Sequence, residues 1–194
     1  MKRALIFLSF IGLLILGSCS PNTYTPKERG YYRIDFPEKK YTSLALNFPY
    51  QFDYPVYAKP EIDSSKGAEP YWMNLQFPGF NGTLHISYKK IESPKMFHQL
   101  CEDARDFAYK HTVKATDIEE FPISIPENKV YGMVYQIEGN TASSSQFYVT
   151  DSLHHYLRAA LYFNEVPRED SIAPVIKFVN ADLQRMIKTF HWKN

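Results

Sequence analysis

Cysteine is nearly absent from this chain: Cys19 and Cys101 are the only two. No framework of several disulfides can be built from them, so an exported domain of this length must rely on a buried core. Charge of one sign is missing as well. The formal net charge is +1, and no field invites nucleic acid or another polyanion. The longest apolar run, residues 4–16, falls short of the roughly 18 residues expected of a spanning helix. There is no G-x-S-x-G elbow and no glycine-rich phosphate loop, which removes two sequence signatures of catalysis and nucleotide binding. Internal repeats and low-complexity segments are lacking too. What the chain does have in quantity is aromatic: 15 Tyr and 14 Phe, which supply much of any core it builds.

The N-terminus has a definite grammar. Lys2 and Arg3 precede the apolar run, which closes on Leu16-Gly17-Ser18-Cys19. This is a secretory signal ending in small residues, and its last four positions resemble a bacterial lipobox. The Cys19 thiol is the nucleophilic atom that takes a diacylglyceryl thioether, and cleavage before it frees an amine for a further chain such as palmitate. Two or three acyl chains hold a protein to a bilayer stably, where one binds only marginally. Residues 1–18 are therefore read as a signal peptide. Residues 19–30, polar and interrupted by Pro21 and Pro26, are read as a tether, and residues 31–194 as a single domain.

Within the domain, residues 31–36 and 43–54 are strand-like, and residues 59–70 are polar and turn-rich, hence a surface loop. Phe36-Pro37, Phe48-Pro49, Tyr54-Pro55, Phe77-Pro78 and Phe121-Pro122 each join a bulky apolar residue to one that cannot donate to a ladder, so they mark strand ends and edges. Tyr71, Met73, Leu75 and Phe77 alternate, as do Leu84, Ile86 and Tyr88. The intervening Asn81-Gly82 predicts a hairpin between residues 71–77 and 83–89, with Gly82 at positive φ if the turn is a primed one. Residues 93–111 take helical period, with Ser93 as cap, Pro94 in the first turn and Cys101 in the apolar stripe. A mixed stretch, residues 112–128, precedes three strands over 131–137, 146–150 and 153–163. After a polar linker, residues 171–190 form a second helix with Pro174 in its first turn. The fold class is α+β, an antiparallel sheet with two main helices.

His154 and His155 are neighbours, and neighbours on a strand point to opposite faces, so one ion does not easily take both. His98, Cys101 and Glu102 stand three and four apart on the expected helix, but Cys101 belongs to the apolar stripe. The serines of 143–145 lie outside any elbow. Glu119-Glu120 and Glu102-Asp103 read as solvated faces rather than a glycosidase couple. The reading is no enzyme, no catalytic residue, no cofactor and no metal. Asp151-Ser152-Leu153 and Asp170-Ser171-Ile172 resemble Asp-Ser-apolar acceptor sites of periplasmic O-glycosylation, which makes Ser152 and Ser171 candidate modification sites. The same dipeptides also form turns and helix caps without modification.

Taken together, these strings resemble the gliding-motility lipoprotein D family of the Bacteroidota over nearly the whole length. The residues that carry the likeness are the lipobox at Cys19, residues 26–37 (PKERGYYRIDFP), Tyr41, Phe48-Pro49-Tyr50, Tyr54-Pro55, Trp72 and residues 80–83 (FNGT). Tyr88, residues 109–112 (YKHT), residues 143–147 (SSSQF), Asp182-Leu183, Phe190 and Trp192 complete it. The resemblance implies an accessory of the gliding machinery linked to type IX protein secretion, anchored in the outer membrane by Cys19, with other machine proteins as partners. No acidic cluster follows Cys19, which in such lipoproteins favours the periplasmic side. The order of strands and helices is also similar to the Mog1/PsbP-like α/β/α sandwich, an analogy that suggests a binding module and is no evidence of activity. The rival expectation is an envelope glycan-binding protein or a peptidoglycan or glycan hydrolase, with Trp72 or Trp192 stacking on sugar.

Overall fold

The computed structural model describes residues 33–164 and 169–193. The signal peptide, the tether and Cys19 lie outside the described residues. Residues 33–40 contain no strand, which corrects the expectation of one over 31–36 for its described part. The chain then makes two small ladders. In the first, β1 (Tyr41–Ser43) pairs with β3 (Asp53–Pro55); in the second, β2 (Tyr50–Gln51) pairs with β11 (His191–Trp192). The last strand of the domain is thus stitched to one of its first.

The main sheet has seven strands: β4 (Lys59–Ile62), β5 (Met73–Phe77), β6 (Gly82–Lys90), β7 (Ala115–Ile125), β8 (Val130–Gly139), β9 (Ser143–Thr150) and β10 (His155–Phe163). Their order is β4-β5-β6-β10-β9-β8-β7, and every pairing is antiparallel. Helix α1 (Pro94–Tyr109) carries the chain from the β6 side to the far edge at β7, after which β8, β9 and β10 return to β6. Helix α2 (Glu169–Lys188) follows β10. The expected α+β class and antiparallel sheet with two helices are what the chain forms.

The hairpin register pairs Phe77 with Gly82. Its turn differs from the expected one. Pro78–Phe80 make a short 3-10 turn, and Asn81, at φ 50°, is the residue in the left-handed region. Gly82 already belongs to β6, where a Cβ would sit 3.0 Å from the Phe163 ring. Two further expectations are corrected at the sheet edges. Residues 59–62, expected in a loop, form edge strand β4, and the stretch expected to be mixed contains the opposite edge strand β7. Both edges carry a proline, Pro60 and Pro122, and β7 adds Asp117, Glu119 and Glu120. These features blunt an edge against further strand pairing.

Alternation divides the core into two. Phe147, Val149, Leu157, Ala159, Leu161, Leu84 and Ile86 pack with Val179, Leu183, Met186 and Ile187 of α2 and with Phe190 just beyond its end. The intervening positions Tyr135, Ile137 and Tyr148 pack with Ala108 of α1. The two helices therefore cover opposite faces of the sheet. Ser93 caps α1, its hydroxyl accepting the Met96 N–H at 3.2 Å, with Pro94 in the first turn as expected. Helix α2 starts at Glu169, so Pro174 falls inside the helix rather than in its first turn.

Candidate functional site

Among the described residues no group of three or more His, Cys, Asp or Glu side chains is arranged to hold a metal ion. His98 and Glu102 are exposed on α1, and Cys101 is half-buried rather than buried. Burial raises the Cys101 thiol above its usual pKa, which opposes nucleophilic use. His154 is exposed, whereas His155 has its Nδ1 2.7 Å from the Tyr88 hydroxyl and its ring stacked on Trp192 at 5.0 Å. Ser143, Ser144 and Ser145 are buried in β9 beside a bulge, and the Ser144 hydroxyl has no hydrogen-bond partner among the described residues. Ser152 sits at φ 66° in an exposed turn that the Asp151 carboxylate builds by accepting the N–H groups of Leu153, His154 and His155. Ser171 is exposed near the start of α2. Neither serine is hidden from a modifying enzyme.

The tightest cluster of polar groups surrounds Asp182, which is 1% exposed. Its Oδ1 lies 2.6 Å from Lys39 Nζ and accepts the Tyr41 hydroxyl at 2.9 Å, while Oδ2 accepts the Tyr57 hydroxyl. Lys39 Nζ also donates to the Phe178 carbonyl at 2.8 Å and stands 3.3 Å from the centroid of the Phe178 ring. Phe36 stacks on the outer side of this group at 4.4 Å from Phe178. Burial, reinforced by the Asp182 carboxylate, pushes the Tyr41 phenol up to about 12 and raises that of Tyr57 as well. A carboxylate buried on α2 thus holds three side chains from the first described part of the chain. Asp182 and Tyr41 were picked out by the resemblance; Lys39 and Tyr57 were not, because nothing local joins them to a residue more than a hundred positions away.

Among the described residues, hollows lie on both faces of the sheet. On the α2 face, two adjoining hollows of about 480 and 580 Å³ share Gln136, Asn180 and Gln184, and run between α2 and the outer strands β7 and β8. Phe121, 44% exposed, stands in this groove. On the α1 face, a cleft of about 430 Å³ opens between α1 and the β5–β6 side of the sheet. Trp72 is half-buried at this cleft, its Nε1 donating to the Tyr88 carbonyl at 2.8 Å, with Phe107 and Arg158 also on the lining. Trp192 instead packs edge-on to Phe190 at 4.7 Å. Sequence reasoning missed Arg158. The available signal was a cation in mid-strand, flanked by Leu157 and Ala159 that belong to the core.

Comparison with known proteins supplies one family. The model of the family described as gliding motility lipoprotein GldD matches residues 21–192. No curated protein matches. Among solved structures, the solution structure of cyanobacterial PsbP (CyanoP) from Synechocystis sp. PCC 6803 is similar at 13% identity, over 92% of this chain and 99% of that one, with a TM-score of 0.44.

Proposed function

The chain belongs to the gliding motility lipoprotein GldD family, and from that premise we propose that it is a noncatalytic accessory of the gliding machinery, linked to type IX protein secretion. It is held in the outer membrane by acyl chains on Cys19, faces the periplasm, and docks on other proteins of the gliding or secretion machine. Residues 1–18 are removed, residues 19–30 span from membrane to domain, and the rest is the docking domain. No helix among the described residues is long and apolar enough to cross a membrane, so the lipid is the proposed attachment.

The observation that carries this reading is the Asp182 clasp. A protein that works by being tethered needs its tether fastened to its core. Here Lys39 and Tyr41, the first polar anchors after the proposed tether, end on a buried carboxylate of α2. Any pull on the anchor is delivered to the helix that packs against the middle of the sheet.

The test is affinity purification from the native envelope with Cys19 intact, combined with a deletion strain scored for spreading and for secretion. A photo-crosslinking residue placed at Phe121, and separately at Phe107, reports which face is covered. Co-purified motility or secretion proteins and loss of spreading support the reading. Normal spreading and secretion in the deletion strain overturn it. The second reading, glycan binding or hydrolysis, is favoured by Trp72 at the α1 cleft, and turnover of an envelope glycan by the purified protein would establish it.

A further inference from the structure

A guanidinium withdrawn from water is normally retained with a carboxylate beside it, because an unpaired buried charge is strongly unfavourable. Four arginines are described. Arg33, Arg105 and Arg185 are exposed, and each pairs with a carboxylate, respectively Asp35, Glu120 and Asp53. Arg158 reverses both properties. It is the one described arginine that is not exposed, and it makes no ion pair among the described residues. Its guanidinium makes a single hydrogen bond there, from Nη2 to the Gln146 side-chain oxygen at 2.6 Å, and its Nε finds no acceptor. One flat side is covered by the Phe107 ring at 4.6 Å. Burial disfavours its charge, lowering its pKa from the usual arginine value. Everything needed to hold a planar cation in place is present except the anion.

The cleft beside it has the size and surface for a small ligand. Its volume of about 430 Å³ lies within the range of small-molecule sites, roughly 300–1,000 Å³. Trp72 has its N–H spent on the Tyr88 carbonyl, which fixes the ring as an apolar wall. Lys89, the other cation on the lining, is already paired with Glu69. Asp63 and Asp103 also line the cleft, and their charges repel a dianion more than a monoanion. We propose that this cleft binds a small ligand carrying one carboxylate next to an apolar body, the carboxylate pairing with Arg158 and the body resting against Trp72 and Phe107. A planar guanidinium offers a carboxylate two parallel N–H donors, which a neutral group cannot use equally well. The site is independent of the groove beside α2 and of the accessory role, so either can fail without the other.

The test uses the full chain purified from membranes in dodecyl maltoside, with Trp192→Phe so that Trp72 is the only tryptophan reporting. Benzoate and phenylpropionate are titrated against Trp72 fluorescence, with phenyl phosphate and benzyl alcohol in parallel. Saturation on the order of 1 mM is expected for carboxylates of this size. Phenyl phosphate and benzyl alcohol should bind at least tenfold more weakly. Arg158→Met should weaken benzoate at least tenfold without lowering the unfolding midpoint, since an apolar residue replaces an unpaired buried charge. Phe107→Ala, at an exposed position that leaves the fold intact, should weaken it severalfold. Absence of a saturable change, equal affinity in Arg158→Met, or phenyl phosphate binding as tightly as benzoate overturns the proposal.

Discussion

Asp182 is the residue whose loss the domain should feel most through a single polar group. Asp182→Asn keeps the shape but removes the charge facing Lys39 and one of the two oxygens used by Tyr41 and Tyr57. Breaking a buried pair by removing one partner destabilises by roughly 3–5 kcal/mol, and because Lys39 reaches solvent the low end, about 3 kcal/mol, is expected. Urea unfolding of Asp182→Asn, and of the Lys39→Met/Asp182→Leu double variant, checks this. The double variant leaves no orphaned charge but strips the Tyr41 and Tyr57 hydroxyls of their acceptor, so it should recover only part of the loss. Histidine gives a second outcome at the same scale. Burial is the leading cause that lowers the pKa of His85, His111 and His155 from the usual 6.5. The unfolded chain then binds more protons than the folded one just below that value, so stability rises with pH there and is lost as pH falls from 7 to 5. The lowered carboxyl pKa values of Asp53 and Asp151 act in the same direction but only at more acid pH, as those groups protonate. His155→Gln should keep the Tyr88 contact and flatten the loss between pH 7 and 5; an unchanged slope would place the effect on the other two histidines.

At the scale of elements, two glycines predict opposite outcomes. A Cβ on Gly132 of β8 would lie 1.9 Å from the Tyr148 carbonyl oxygen of β9, so Gly132→Ala must push these two adjacent strands apart. About 3 kcal/mol of destabilisation is expected, the upper part of the usual overpacking range. Gly79 meets nothing within 4 Å and is not at positive φ, so Gly79→Ala should be neutral or stabilising by up to about 1 kcal/mol. Chemical denaturation of the two variants side by side decides it. The elements that were legible in the sequence are those whose signal is local. Ser93-Pro94 announced α1, and the alternation of Tyr131, Met133, Tyr135 and Ile137 announced β8. The edge strands were not legible, because Lys59-Pro60-Glu61-Ile62 and the acidic, proline-bearing β7 need only one partner and look like loops. The hairpin was read at the right place with the wrong turn: four residues separate Phe77 from Gly82, so the left-handed residue is Asn81. Arg158 and Lys39 were unreadable as sites, since what sets each apart is a partner, or the want of one, contributed by a distant element.

The whole molecule combines a sheet whose two edges resist extension and a clasp that ties its first described residues to its last helix, with the proposed lipid at Cys19 ahead of both. Pro60 and Pro122 each remove a backbone donor from an edge strand, which disfavours growth of the sheet by a second copy and leaves the helical faces for partners. Attachment and folding should therefore separate cleanly. Cys19→Ser removes the acyl chains but no residue of the sheet, of α1 or of α2, so its unfolding midpoint should equal that of the acylated chain. It should nevertheless leave the membrane fraction, because the affinity of two or three chains is lost at once. If the clasp carries tension from anchor to core, Asp182→Asn should do the reverse, staying with the membrane while spreading falls. A folded but unanchored Cys19→Ser protein that restores full spreading to a deletion strain would show that the lipid is dispensable. An Asp182→Asn strain that spreads normally at wild-type protein levels would leave the clasp a fold contact and remove it from the mechanism. Immunoblots of separated membrane and soluble fractions, read beside spreading on agar, distinguish all four cases.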